Sequence, residues 1–152
     1  MIHAAAFDQL DPRTLYRILR LRSEVFVVEQ ACVYLDLDGR DMERATVHVW
    51  ADPVEEAPAV AAALRLLAEP DGSRRIGRVV TAAEERGLGL ARTLLERALT
   101  LVPDDAPVVL DAQVRLEDWY RGWGFERTGP DFEEDGIVHV PMRRPARVEA
   151  GP

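Results

Sequence analysis

Lysine is absent from this chain, and all 19 basic residues are arginine. The chain therefore has no Schiff-base lysine, no anchor for pyridoxal phosphate and no Walker A lysine for a nucleotide phosphate. Serine is scarce, because only Ser23 and Ser73 occur and neither lies in a G-x-S-x-G motif. A hydrolase built on a nucleophile elbow is thereby disfavoured. The three histidines, His3, His48 and His139, lack the spacing of a zinc site.

Cysteine and long apolar runs are also scarce. The single cysteine, Cys32, cannot form a disulfide within the chain, which agrees with a reducing compartment. No stretch approaches the ~18 apolar residues of a membrane-spanning helix. The first residues lack the basic start and apolar core of a signal peptide. We therefore expect a cytoplasmic location and no membrane partner.

Basic charge is in deficit overall. The 27 acidic and 19 basic residues give a net charge of −8, and the isoelectric point is near 4.9. Nucleic-acid phosphates require a basic surface, so no nucleic-acid partner is expected. The surplus of carboxylates favours a cationic substrate instead.

The residues that are present predict one domain. With 152 residues, of which 47% are hydrophobic, the chain is long enough to bury a full core. Periodicity predicts strands at 2–7, 46–51, 59–67, 75–81 and 107–112, helices at 12–28, 86–101 and 116–123, and a closing hairpin of 125–129 with 137–142. The segment 29–44 is expected to be a loop with at most one short helix, and 52–58 a turn.

The order of these elements indicates the fold class. Three consecutive strands predict an antiparallel meander, and the second half follows a βαβα pattern. One face of the helix predicted at 86–101 is apolar and is expected to pack on the sheet. Its members are Leu88, Ala91, Leu94, Leu95, Ala98 and Leu101. The prediction is an α/β (α+β mixed) domain with a mostly antiparallel sheet and flanking helices.

Two glycines, Gly87 and Gly89, open this strong helix former. A helix start without side chains exposes backbone N–H groups, and the helix dipole adds positive potential there. Such a site binds anions, and the guanidinium groups of Arg86 and Arg92 are suited to phosphate oxygens. The alternative is that Gly87 only relaxes a tight strand-to-helix turn. The dinucleotide pattern G-x-G-x-x-G fails, because Arg92 stands where its third glycine is required.

Arg86, Gly89 and Ala91 instead form the pattern R-x-x-G-x-A after the strand RVVT. This pattern resembles the acyl-CoA signature of the GNAT superfamily of N-acyltransferases.

Two further stretches extend the resemblance over most of the chain. The segment QVRLEDWYRGWGF at 113–125 is similar to a later segment of the superfamily, with Tyr120, Gly124 and Phe125 at matching positions. The stretches 15–41 and 132–142 look like the corresponding parts of the ElaA branch. The chain is thus identified as a member of the GNAT superfamily, ElaA-like branch. It departs from many members at Gln113, where they have asparagine.

The resemblance implies a single GNAT-type domain at 1–145, followed by a flexible tail at 146–152. It implies a central sheet of about six to seven strands in which two strands splay to form a V-shaped cleft for acetyl-CoA, with no metal. Pantetheine would pair with the first splayed strand, and pyrophosphate would bind the N–H groups after it. The cofactor-binding residues so implied are Val79, Val80, Thr81, Arg86, Gly87, Leu88, Gly89, Leu90, Ala91 and Arg92.

The implied reaction is attack of a primary amine on the acetyl thioester in a ternary complex, which requires two proton transfers. Tyr120 matches the family's general acid, and its phenol, with an unperturbed pKa near 10, would protonate the departing sulfur. The alternative for Tyr120 is a core aromatic. A backbone N–H near Val80 or Thr81 would polarise the thioester carbonyl.

The general base is open between Glu29, His48, His139 and a water molecule. Glu29 closes the first predicted helix, where the dipole disfavours its charge, and His139 lies in an apolar strand pattern. Either residue is equally compatible with a structural role.

The acceptor is expected to be a small or cationic amine. The acidic loops at 29–44 and 131–136 would attract an ammonium group, although charged loops are usually only solvated. The candidate carboxylates for this attraction are Asp36, Asp38, Asp41, Glu133, Glu134 and Asp135. A calcium loop is rejected, because Gly39 comes too early for one.

Two other functions stay open. The domain would act as a sensor if it bound acyl-CoA without turnover, although Tyr120 argues against this. An enzyme with Cys32 as nucleophile, and His48 or His139 as its partner, is the other. The sequence also leaves open a homodimer through the last strands.

Overall fold

The computed structural model of the chain describes residues 1–55 and 58–148. Two expectations therefore fall partly outside the described residues: the turn at 52–58 and the C-terminal tail at 146–152. Within the described residues, no helix has the length and apolar character needed to cross a membrane.

Eight strands and three α-helices form the regular structure of these described ranges. The strands are β1 (Ile2–Ala6), β2 (Val47–Ala51), β3 (Ala62–Ala68), β4 (Arg74–Thr81), β5 (Val108–Gln113), β6 (Glu126–Arg127), β7 (Phe132–Glu134) and β8 (Ile137–Arg144). The helices are α1 (Pro12–Arg22), α2 (Leu90–Thr100) and α3 (Glu117–Arg121). Short 3-10 turns lie at Phe7–Gln9, Arg40–Met42, Ala83–Glu85 and Val114–Leu116.

All strands join one sheet in the order β1-β2-β3-β4-β5-β8-β6, and β7 pairs with β8. Only the neighbours β4 and β5 are parallel, so the predicted mixed fold with a mostly antiparallel sheet is confirmed. The parallel pair is joined through α2, as a parallel connection requires. The predicted meander corresponds to β2, β3 and β4.

The sheet has one strand more than the expected six to seven, because the predicted loop at 131–136 contains β7. Glu134 pairs with Ile137 around a two-residue turn of Asp135 and Gly136. Both turn residues have positive φ, 52° and 79°. Asp-Gly is a typical sequence for such a hairpin turn, so the sequence did contain a signal for the β7–β8 hairpin. The acidic residues around this turn favoured a loop, because such residues are uncommon in strands.

The first predicted helix changes character near its middle. α1 ends at Arg22, and Ser23–Glu29 continues as a π-helix. The Gln30 N–H donates to the carbonyl of Val25 at 3.0 Å, which closes the wider turn. The wider turn displaces the following residues from the regular helical spacing.

Two apolar layers cover the two faces of the sheet. Leu64 and Leu66 of β3 belong to the core that contains α2, whereas Ala63 belongs to the core that contains α1. Because side chains alternate along a strand, burial on both faces explains why every residue of β3 except Arg65 is apolar.

The start of α2 corrects the expected helix at 86–101. The helix begins at Leu90, and Gly87 and Gly89 lie in the turn before it with φ of 82° and 75°. A residue with a Cβ rarely adopts this left-handed conformation, so the turn itself requires the glycines. Leu88 is 57% exposed and does not belong to the buried stripe. The buried residues of α2 are Leu94, Leu95, Ala98 and Leu99.

A buried cluster of charges attaches the segment after the π-helix to the sheet. Arg22 is 1% exposed and donates to Asp36 at 3.0 Å and to Asp41 at 2.7 Å. Arg65 of β3 donates to Asp38 at 2.6 Å and to Asp41 at 3.2 Å. These bonds hold the pKa of Asp41 below its usual value despite its burial. The loop is therefore fixed to the fold by buried ion pairs.

Replacement of Arg22 by alanine is expected to lower the free energy of unfolding by about 3–5 kcal/mol, because Asp36 and Asp41 lose a buried partner. Urea unfolding followed by circular dichroism measures the change. Arg20→Ala is the matched control, since Arg20 pairs with Glu24 at the exposed surface, where such pairs contribute about 1 kcal/mol or less. A loss from Arg22→Ala no larger than that of the control would contradict this role.

Candidate active site

The strands β4 and β5 pair over only two residue pairs before they separate. Arg74 lies opposite Val108 and Arg75 opposite Val109, and no later residue of β4 pairs with β5. A cavity of about 760 Å³ opens beside the separated ends and is lined by Val79, Val80 and Thr81. The predicted splay of these strands is therefore present.

Backbone groups of β4 face this cavity. The N–H of Ala82 donates to the carbonyl of Ala61 at 2.8 Å, so that group points toward β3. N–H directions alternate along a strand, and the N–H and C=O of Thr81 therefore point away from β3. In agreement, Arg86 Nε donates to the Thr81 carbonyl at 3.3 Å. Of the two N–H groups suggested by the sequence, that of Thr81 is the one directed away from β3, whereas that of Val80 points to β3.

A second cavity of about 320 Å³ adjoins the first at the start of α2. Both cavities share the lining residues Thr81, Arg86 and Ala91. No side chain caps the helix at Gly89, so the first N–H groups of α2 have no partner within the helix. This arrangement has the expected form of an anion cradle.

Most of the remaining residues that the sequence assigned to the cradle line the second cavity. Gly87, Gly89, Leu90 and Arg92 line the second cavity, and Leu88 lines neither cavity. The Arg92 guanidinium lies over the ring of Trp123 at 5.5 Å, which holds this cation beside the helix start.

Glu29 and Arg86 form a two-pronged ion pair at the cavity wall. Arg86 Nη1 and Nη2 donate to the two Glu29 carboxylate oxygens at 2.6 and 2.7 Å. This hydrogen bonding lowers the pKa of Glu29. The helix-dipole argument predicted destabilisation of the charge, and it is wrong here because Arg86, 57 residues later in the chain, supplies the opposite charge.

The position of Tyr120 is compatible with both alternatives that the sequence left open. Its ring is 6% exposed and makes edge contacts with Trp119 and Phe125, yet it also lines the main cavity. Burial raises the pKa of Tyr120 to about 12. The phenol therefore stays protonated at neutral pH and is available as a proton donor.

His139 lines the main cavity from β8. Its Nδ1 lies 2.8 Å from the Ile137 carbonyl, to which it donates, and in the neutral ring Nε2 is then the acceptor. The ring stacks on Phe132 at 5.8 Å between centroids, which fixes its orientation. His48, in contrast, is 1% exposed, contacts the Asp41 carbonyl and does not line the cavity. The structure therefore removes His48 from the candidate bases.

The two acidic loops, 29–44 and 131–136, were both expected to attract an ammonium group, and the structure separates them. Asp36, Asp38 and Asp41 are paired with arginines in the buried cluster and do not offer free charge to a substrate. Glu134 and Asp135 line the main cavity, and no ion pair to either occurs in the described ranges. Among the described carboxylates that line the cavity, Glu29 and Asp111 are paired with arginines, and Glu134 and Asp135 of the last hairpin are not.

The cavity wall contains Cys32, which the sequence offered only as an alternative nucleophile, and also Leu35 and Arg78, which sequence reasoning missed. Cys32 Sγ donates to the Asp135 carbonyl at 3.3 Å, which joins the loop to the last hairpin. The sequence did contain one signal for the buried charge cluster that holds this wall. Arg22 falls in the apolar spacing of α1, as is typical of a buried arginine with acidic partners. In the part of the chain that the structure describes, no group of three or more metal-binding side chains occurs.

Residues 40–145 match the family model described as acetyltransferase (GNAT) domain. A UPF0039 protein of Mycobacterium tuberculosis is 48% identical over 139 residues, covering 90% of this chain and 87% of the relative. Protein ElaA of Escherichia coli is 36% identical over 142 residues, covering 90% and 91%. The crystal structure of an acyl-CoA N-acyltransferase from Pseudomonas aeruginosa has a TM-score of 0.86 at 38% identity, covering 95% of this chain and 99% of that one.

Gly89→Ala is expected to lower the free energy of unfolding by about 1–2 kcal/mol, because alanine disfavours the left-handed conformation. A Cβ there meets no atom within 4 Å, so strain and not collision is the cause. Gly89→Asn should lose less. Gly77→Ala is the control, since Gly77 has similar space and no positive φ. Urea unfolding distinguishes the variants, and equal stability of Gly89→Ala and the parent would contradict the assignment.

Proposed function

Because this chain belongs to the GNAT acetyltransferase family, we propose that it transfers an acetyl group from acetyl-CoA to a primary amine of a small or cationic acceptor. The family resemblance seen in the sequence is confirmed, and the chain is an acetyltransferase enzyme. The co-substrate class of the family is an acyl-CoA. The acetyl group, the acceptor class and the residue roles below are the proposal.

The observation that carries the proposal is the junction of the two cavities. The cradle at the start of α2 suits a pyrophosphate, and the separated edge of β4 suits the amides of pantetheine. Thr81 and Ala91 line both cavities, so one extended ligand would reach from the cradle to the strand edge. A CoA thioester has this combination of groups.

In the proposed reaction, the amine nitrogen attacks the thioester carbonyl carbon, and the Thr81 N–H stabilises the developing oxyanion. The carbon–sulfur bond then breaks. Tyr120 donates its phenolic proton to the departing sulfur, and a base takes the proton that the amine loses. The Tyr120 phenol is protonated at neutral pH and so carries the proton that the departing sulfur requires.

His139 is the better supported of the two remaining base candidates. Its Nε2 is an acceptor at the cavity wall, because Nδ1 is engaged by Ile137. Glu29 is the weaker candidate, since Arg86 occupies both of its oxygens and lowers its pKa. Deprotonation through water is the remaining alternative.

The cationic acceptor class is supported by the free carboxylates of the last hairpin. Glu134 and Asp135 line the cavity close to His139 in the strand register, where Glu134 pairs with Ile137. An ammonium group attracted there would lie on the side of the cavity that the cradle does not occupy.

Isothermal titration tests the cofactor half of the proposal. We expect micromolar binding of acetyl-CoA and none of NAD or ATP, which contain a pyrophosphate without pantetheine. Arg86→Glu should weaken binding about tenfold or more, because it replaces a cation with an anion at the cradle. Arg97→Glu, on the exposed side of α2, is the matched control. Absence of binding to the parent protein would overturn the proposal.

Tyr120→Phe tests the catalytic half. Loss of the general acid should lower kcat about 100-fold or more, with an unchanged dissociation constant for acetyl-CoA, because phenylalanine preserves the ring contacts. Thiol release with a panel of primary amines measures kcat, and Tyr16→Phe at an exposed position of α1 is the control. Full activity of Tyr120→Phe would show that Tyr120 has only a structural role in the core. Binding without turnover of any amine by the parent protein would favour the acyl-CoA sensor.

A further inference from the structure

One residue of β4 has an unusual backbone conformation. Arg78 has a φ of 51°, in the left-handed region, although Gly77 directly before it has no positive φ. Only Ala31 and Asp135 share this feature among the non-glycine residues that the structure describes. A residue with a Cβ is disfavoured in this conformation, and such residues persist only where the surrounding contacts determine them.

Arg78 lies at a β-bulge in the separated part of β4. Arg65 of β3 pairs with Gly77, but Ala63 pairs with Val80, so Leu64 faces the two residues between them. The usual occupant of the left-handed position in such a bulge is glycine. An arginine there therefore indicates that its side chain has a function that glycine would lack.

The bulge reverses which face of the sheet the side chains of β4 occupy. Ile76 belongs to the core beside α2, whereas Val80 belongs to the core beside α1. Residues four apart on a regular strand would face the same side. The extra residue also decides which backbone groups after it point away from β3. Without it, a one-residue shift would direct the Val80 N–H to the cavity in place of that of Thr81.

The Arg78 side chain is anchored outside the sheet. Its Nε lies 2.8 Å from Asp36 Oδ1, and its Nη2 donates to the Asp36 carbonyl at 3.1 Å. The guanidinium also lies over the Tyr34 ring at 5.4 Å. Asp36 in turn accepts a bond from Arg22 of α1 at 3.0 Å. The bulge is thus connected through Asp36 to a buried arginine of the first helix.

We propose that Arg78, anchored by Asp36, is a positioning residue that fixes the β4 bulge so that the Thr81 N–H faces the thioester carbonyl. The inference rests on the proposed function of the cavity. Arg78 acts through the backbone and does not contact the reacting atoms. The anchor explains why arginine occupies a glycine position, since its side chain holds the bulge in a single conformation.

The test compares the carbonyl stretching frequency of bound acetyl-CoA between the parent protein and its variants. Infrared difference spectra with acetyl-CoA labelled with carbon-13 at the thioester carbonyl report hydrogen bonding to that oxygen without an acceptor amine. In the parent protein the carbonyl stretch should lie below that of free acetyl-CoA. Arg78→Gly permits the left-handed conformation without strain and removes the anchor. We expect it to lose most of this shift while binding CoA as the parent does.

Three further variants make the result specific. Arg78→Lys retains a cation opposite Asp36 and should restore part of the shift. Asp36→Asn should lose it, as Arg78→Gly does. Arg74→Gly, on the same strand and outside the cavity lining, should keep it. Once an amine substrate is known, kcat of Arg78→Gly should fall on the order of 100-fold, as expected for a misplaced group, with unchanged CoA affinity.

A parent-like carbonyl shift in Arg78→Gly would overturn the inference, as would weakened CoA binding in that variant, because the residue would then act on binding. Near-ultraviolet circular dichroism establishes that each variant is folded. Absence of acetyl-CoA binding to the parent protein would be a different result, since it would overturn the proposed function itself.

Discussion

The site depends on the limited pairing of two parallel strands. β4 and β5 stay together for two residue pairs and then separate, which leaves backbone N–H and C=O groups of β4 without a neighbouring strand. Unpaired backbone groups are costly unless water or a ligand satisfies them. The separation therefore creates both the cavity and the free edge of β4 beside it. The crossover through α2 then brings a helix start to the open end of the same edge.

The second constraint is the buried cluster of arginines and aspartates. Arg22, Arg65 and Arg78 approach the loop from three elements, and its aspartates neutralise them. Arginine suits this role because its planar guanidinium binds two partners at once in a fixed geometry. The absence of lysine from the chain agrees with such extensive use of forked ion pairs. A loop that reads as a solvated acidic segment is in fact a wall of the cavity.

Much of the site could be predicted from the sequence, because its chemistry is local. The pattern of Arg86, Gly89 and Ala91 and the motif around Tyr120 each lie within a few residues, and the structure brings them to adjoining cavities. The pairing of Glu29 with Arg86 joins residues 57 positions apart, so no local pattern contained it. The single domain at 1–145, the cytoplasmic location, a homodimer and the absence of nucleic-acid and membrane partners stay predictions.

The sequence by itself determined the alternation of strands and helices and the family. These follow from periodicity, turn chemistry and short motifs, which act over one or two turns of chain. Only the tertiary structure decided that Asp36 anchors Arg78, that the N–H of Thr81 rather than that of Val80 points away from β3, and that His48 is buried away from the cavity. Those outcomes depend on strand register and on a single bulge, where one inserted residue reverses every side chain that follows.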